Sequence, residues 1–141
     1  MPLNGYSIGK DNVLTINTPS GIMRVTLTHF DAKPVYTDLK SMPLDKPPVH
    51  MSIPSGWKGS AKLDRQDATI DDFVAANEAA YWAGQTVLPG SITQTITEVD
   101  GSTSRYRYTN VNIKVTDPGA WASEKLVDQS LDFEASRRLK L

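Results

Sequence analysis

Apolar and polar side chains alternate along most of this chain, and the alternation gives way once to a helical stripe. Residues 13–18 carry Val13, Leu14 and Ile16 and close on Pro19-Ser20-Gly21, a turn signal. Residues 22–30 form the clearest strand pattern. Met23, Val25 and Leu27 point one way, with His29 on the same side, and Arg24, Thr26 and Thr28 point the other. Asp31-Ala32-Lys33-Pro34 reads as a short turn, with residues 35–39 returning as the second arm of a hairpin. Residues 49–53 alternate again, Pro54-Ser55-Gly56 reads as a turn, and residues 57–65 follow with Trp57, Ala61 and Leu63 on one face. Residues 92–99 and 103–115 flank Asp100-Gly101, a strong hairpin signal because glycine readily supplies positive φ. After a turn at Asp117-Pro118-Gly119-Ala120, residues 125–139 read as one last long strand.

The interruption is a helix predicted over residues 70–81. Ile70, Phe73, Val74 and Tyr81 share a stripe, broken by Asn77. Thr69 stands at the expected N-cap, Asp72 three residues on completes a capping-box pattern, and Gly84 is placed to stop the helix. About seven or eight strands with one helix predict a mainly β (α+β) fold. The expected architecture is an antiparallel β-sandwich or barrel with one flanking α-helix and a long loop. Hairpins dominate, which favours antiparallel pairing. The 141 residues suffice for one domain with a proper core, expected to span residues 1–141.

The long loop is residues 40–48. Pro43, Pro47 and Pro48 argue against helix and against a central strand. Lys40, Met42, Pro43, Leu44, Asp45, Lys46, Pro47 and Pro48 then form either a rigid connector or a contact arm for a neighbouring subunit.

Composition narrows the chemistry. The net charge of −1 gives no bulk reason to bind nucleic acid or acidic lipid. The absence of cysteine removes disulfides, zinc–thiolate sites and thiol catalysis. Residues 1–10 show no apolar run of a secretory signal, and no stretch approaches the roughly 18 apolar residues of a membrane helix, so no membrane association is expected. His29 and His50 are the only histidines and have no clustered carboxylate, so neither metal nor cofactor is expected. Asp64, Asp67, Asp71 and Asp72 gather before and within the first helical turn, where the helix dipole favours carboxylates; their spacing does not match a calcium loop. No phosphate-binding glycine loop and no nucleophile elbow is present, so no catalytic residue is assigned. Arg105, Tyr106, Arg107 and Tyr108 interleave, but in a strand the arginines share one face and the tyrosines the other, as in a half-exposed sheet.

The order of elements, with Gly56-Trp57-Lys58-Gly59-Ser60-Ala61, Ile70-Asp71-Asp72-Phe73 and Leu131-Asp132-Phe133-Glu134-Ala135-Ser136, resembles the bacteriophage tail tube proteins of contractile or long non-contractile tails. The related secretion-system tube shares that architecture. The resemblance implies a non-enzymatic subunit that forms stacked hexameric rings around a lumen, with hairpin strands building a continuous barrel and the helix outside it. It implies self-association, contact with other tail proteins such as tape measure, sheath or terminator, and DNA passing down the lumen without specific binding. The implied location is the tail of a virion assembled in the host cytoplasm. Arg24, Thr26, Thr28 and Asp38 would face the lumen, and residues 40–48 would bridge to the next ring. A different class of reading is a monomeric β-sandwich binding module for a carbohydrate or protein ligand, with Trp57, Trp82 and Trp121 as stacking platforms.

Overall fold

A computed structural model describes residues 4–9, 12–18, 21–23, 27–86 and 89–141, with the side chain of Met23 excepted. The described residues form eight strands and one helix: β1 (Asn12–Thr18), β2 (Gly21–Met23), β3 (Leu27–Ser41), β4 (Val49–Asp64), α1 (Thr69–Trp82), β5 (Gly90–Thr97), β6 (Thr103–Asp117), β7 (Asp128–Ala135) and β8 (Arg137–Lys140). Every strand pairing is antiparallel. The sheet runs β2-β1-β5-β6-β7-β4-β3, with β8 also on β6, so it is open and β3 is one of its edges. The mainly β, α+β class expected from the alternation is the observed one.

One long strand pair joins the two halves of the sheet. β6 pairs with β5 and β8 through its first part and with β7 through its second. β7 and β8 were expected as one strand over residues 125–139. They do share one register against β6, but pairing lapses at Ser136, and Asn110 across from it takes a φ of 51°. The left-handed residue bends the ladder there. The Ser136 amide bonds the Thr109 carbonyl at 2.9 Å, so the break leaves that donor satisfied.

Both halves and the helix share one core. Ile16, Ile92 and Tyr108 come from one half, Ala61, Leu63, Leu131 and Phe133 from the other, and Ile70 from the helix. At its centre the Phe30 ring stacks on Phe133 at 5.5 Å, and Tyr108 meets Phe133 edge-on at 5.7 Å and Trp57 at 5.9 Å. Edge-to-face and offset rings favour each other beyond their buried area. Four strands thereby contribute to one aromatic cluster. As expected of the Arg105–Tyr108 run, Arg105 and Arg107 are exposed while Tyr108 is buried.

The helix ends as expected and begins otherwise. Gly84 at φ 75° donates its amide to Tyr81, and Gln85 donates to Ala80, which is the paired bonding of a Schellman stop. At the start, Ala68 is the N-cap and makes no side-chain cap; Thr69 is already helical. Asp67 replaces it as the local anchor, its Oδ1 accepting from the Thr69 amide at 3.0 Å and hydroxyl at 2.6 Å. These bonds are charge-assisted and fix the turn into the helix, while the Asp72 amide, which a Thr69 cap would bind, donates to the Ala68 carbonyl at 2.8 Å. Of the predicted stripe, Ile70 is buried and Phe73 is half-buried against the core, whereas Tyr81 and the adjoining Trp82 are exposed. The helix docks by its first turns.

The largest departure concerns β3 and β4. The two segments expected to turn, residues 31–34 and 54–56, lie within these strands, and they meet across the pair. Pro34 pairs with Trp57 and Tyr36 with Pro54, so β4 carries one extra residue there as a bulge, with Gly56 at φ 110°. Pro34 is tolerated because β3 is an edge strand, where a missing N–H costs no ladder bond. The expected strand over residues 22–30 is likewise two: Met23 in β2 pairs with Ile16, and Leu27 in β3 pairs with Leu63. A second bulge between Leu27 and His29 shifts the alternation, so the core-side residues become Phe30 and Ala32, and His29 stands exposed instead of on the Leu27 face.

Candidate assembly surface

Beyond the bulge, β3 and β4 continue with no third strand beside them among the described residues. β4 pairs with β7 only over residues 57–64, so residues 36–54 form a two-stranded arm. Six paired positions, Tyr36 to Ser41 against Val49 to Pro54, give the strands a reach of roughly 20 Å. Residues 42–48 make its tip. Lys40 and Ser41, expected in the loop, are the last residues of β3, and Lys40 pairs with His50. Met42 and Leu44 at the tip are exposed, Leu44 fully. Asp45, Lys46, Pro47 and Pro48 are exposed as well, and Pro43 is half-buried.

The register divides the arm into two unlike faces. Residues directly opposite share a face in an antiparallel pair. Thr37 with Ile53, Leu39 with Met51, and Ser41 with Val49 make an apolar side. Tyr36 with Pro54, Asp38 with Ser52, and Lys40 with His50 make a mainly polar one. On the polar side Ser52 donates to the Asp38 carboxylate at 2.9 Å. On the apolar side Leu39, Val49, Met51 and Ile53 are each between 44% and 49% exposed.

This polarity is inverted relative to the body of the sheet. Pairing along β3 keeps its alternation from His29 to Ser41. Even positions carry Phe30 and Ala32 into the core and then Asp38 and Lys40 in the arm; odd positions carry Asp31 and Lys33 in the body and Leu39 in the arm. The apolar side of the arm is therefore not an extension of the chain's own core. The bulge is the point at which one face changes its chemistry.

Of the residues expected to line a lumen, the two that are described, Thr28 and Asp38, stand apart along β3. Arg24 and Thr26 lie outside the described residues. Thr28 sits at the first bulge and donates to the Lys62 carbonyl at 3.2 Å. Asp38 lies ten positions further on, in the arm, roughly 33 Å along an extended strand.

The acidic cluster before the helix is an internal brace. Arg65 grips Asp71 through Nε at 3.1 Å and Nη2 at 3.0 Å. The other Asp71 oxygen accepts from buried Gln129 at 3.2 Å, and Gln129 also donates to the Pro118 carbonyl at 2.9 Å. The Arg65 guanidinium lies 5.3 Å from the Trp121 ring centroid. This network ties the helix, β7 and the loop between β6 and β7. Asp64 faces Asp128 across β4 and β7, and the hydrogen bond they share pushes the Asp64 carboxyl above its ordinary range. Elsewhere, the hydrogen bond from His29 holds the Asp31 carboxyl low, with the Ser60 amide adding to it. No group of three or more potential metal ligands exists among the described residues. Nor do the tryptophans make a shared platform. Trp57 packs in the core rim, Trp82 meets Tyr81 edge-on at 5.0 Å, and Trp121 lies by Arg65.

The fold is similar to that of chains solved within contractile injection assemblies. The chain is similar over its full length to a chain of the cryo-EM structure of the anti-feeding prophage cap (AFP tube terminating cap), with a TM-score of 0.66, 9% identity and 94% of that chain covered. It is similar, again over its full length, to a chain of an extracellular contractile injection system, the PVC sheath/tube terminator in its extended state, with a TM-score of 0.63, 10% identity and 97% of that chain covered. A third likeness is to a chain of the PVC sheath–tube complex in its extended state, covering 91% of this chain and 87% of that one at a TM-score of 0.64 and 9% identity. No family model matches the chain. No curated protein matches it in sequence. At such identities the likeness is one of fold.

Proposed function

We propose that this chain is a structural, non-enzymatic subunit of a tube-like particle, of the kind built by phage tails, contractile injection systems and secretion-system tubes. Its copies associate as stacked hexameric rings around a lumen. The arm of residues 36–54 reaches onto a neighbouring copy, and the tip, residues 42–48, bridges to the next ring. A tail genome and its leading proteins would pass down the bore, with Thr28 and Asp38 among the residues toward it. Sheath, terminator and tape-measure proteins are the expected neighbours in the tail of a particle assembled in the host cytoplasm.

The single observation that carries this reading is the arm's uncovered apolar face, set in opposite phase to the chain's own core. Four half-exposed aliphatic side chains on one ribbon, with Met42 and Leu44 at its end, form a contiguous patch that a solitary chain would leave in water. The folds shared with cap, terminator and sheath–tube chains support the same reading. Obligate interfaces of this kind often bury above about 2,000 Å² in total. The test is negative-stain microscopy of the full chain beside the variant Leu39→Ser/Met51→Ser. Rings or tubes for the parent and dispersed particles for the variant support the reading; dispersed particles for both refute it.

A further inference from the structure

The polar side of the sheet body carries two cross-strand ladders that the assembly reading does not use. One runs Asp31, Ser60, Asp132, Lys114 across β3, β4, β7 and β6. The next runs Lys33, Lys58, Glu134, Asn112 across the same strands. Together they line a shallow cavity of about 380 Å³, open to solvent, with lysines and carboxylates in equal number. Four strands at 4.7–4.9 Å spacing make a floor roughly 14 Å wide.

These charges do not satisfy each other. Among the described residues, Lys33, Lys58, Lys114, Asp132 and Glu134 make no ion pair and no side-chain hydrogen bond, although Lys114 and Asp132 are direct cross-strand partners. Only Asp31 is engaged, by His29 at 3.2 Å and by the Ser60 amide at 3.2 Å. A duplex places one negative charge per roughly 1.7 Å and binds where cations are in excess. This floor offers a polyanion as much repulsion as attraction. A polypeptide with both signs can meet each in turn. In an extended chain, side chains on one face recur every two residues, roughly 6.8 Å apart, which is also the spacing between the two ladders.

We infer that this concave face receives an extended polypeptide carrying interspersed charges of both signs, in preference to nucleic acid. The inference rests on the tube reading only for its role, as a face on which a subunit of such a particle meets a partner polypeptide. The contacts are exposed, so binding is weak, salt-sensitive and quickly reversed.

The test is fluorescence anisotropy with the full chain at low salt. The probe is a labelled peptide of repeating Glu-Thr-Lys-Thr, which in extended form alternates opposite charges along one face. Labelled duplex DNA is the rival probe. The peptide is expected to bind and the duplex not to. In the variant Lys58→Ala/Glu134→Ala, peptide binding is expected to weaken about fivefold, as the loss of two exposed charge contacts implies. Both positions are exposed, and circular dichroism verifies that the variant is folded. Failure of the peptide to bind, tighter binding of the duplex, or unchanged binding by the folded variant overturns the inference. Rings seen by microscopy without peptide binding sink this inference alone; peptide binding without rings sinks the tube reading and leaves the face standing.

Discussion

Leu39 faces Met51 across the β3–β4 arm, and neither side chain is covered: 44% and 48% of their surfaces remain in water. Such a pair does little for a lone chain. Replacing both with serine is expected to change unfolding stability by no more than about 1 kcal/mol, about 0.5 kcal/mol for each exposed site. The same variant is expected to lose self-association, which sedimentation velocity on the folded protein reads directly. A large stability loss would place the arm in the chain's own core and contradict the interface reading.

Gly59 is held where β3 and β4 approach too closely for a side chain. A Cβ there would lie 2.0 Å from the Asp31 carbonyl oxygen and 2.8 Å from the Ala32 Cα, both backbone. Gly59→Ala must part the two strands and is expected to cost about 2–4 kcal/mol in urea unfolding. Gly101 is the contrast, with open space around it but a φ of 87°. Gly101→Ala is expected to cost only about 1 kcal/mol, the strain of a left-handed turn position.

Asp71 links helix to sheet through Arg65 and Gln129. Asp71→Ala leaves the buried Gln129 amide with the Pro118 carbonyl alone and frees Arg65. The bridge to Arg65 is partly exposed and so counts for little by itself. The lost bond to Gln129 raises the expected cost to about 1–2 kcal/mol, measured by thermal or urea unfolding.

The Asp64–Asp128 pair gives a pH dependence of defined sign. Asp64 is raised in the folded chain by its hydrogen bond with Asp128. Its contribution to stability is complete below the ordinary carboxylate range and is lost as pH rises through the elevated value. Asp128→Asn removes the like-charge opposition. The variant is expected to be more stable than the parent at neutral pH, with the difference closing as pH falls below the ordinary carboxylate range. Urea midpoints across pH read this. A variant less stable than the parent at neutral pH would contradict it.

The alternation along the chain was enough to read the class of fold, the Asp100-Gly101 hairpin and the Gly84 stop. It misread positions where a long two-stranded ribbon absorbs turn residues. Pro34 and the Pro54-Ser55-Gly56 stretch are turn chemistry by composition, yet facing one another they form a bulge, and register between distant segments is invisible to a local pattern. His29 moved to the exposed side because one extra residue at Thr28 shifts the phase of β3. Thr69 fits a cap by residue type, but the helix starts one residue earlier: the Asp72 amide donates to the Ala68 carbonyl and the Thr69 hydroxyl donates to Asp67. The arm's apolar positions were present as the alternation of Val49, Met51 and Ile53. Nothing local said that this face would lie outside the core. That fact needs the bulge, and the bulge needs both strands.

The central claim is that identical chains close on one another through the projecting arm. Its most direct measurement is electron microscopy of the purified full chain over rising concentration. The account predicts rings of one fixed symmetry that stack into hollow tubes. Single compact particles at every concentration would contradict it.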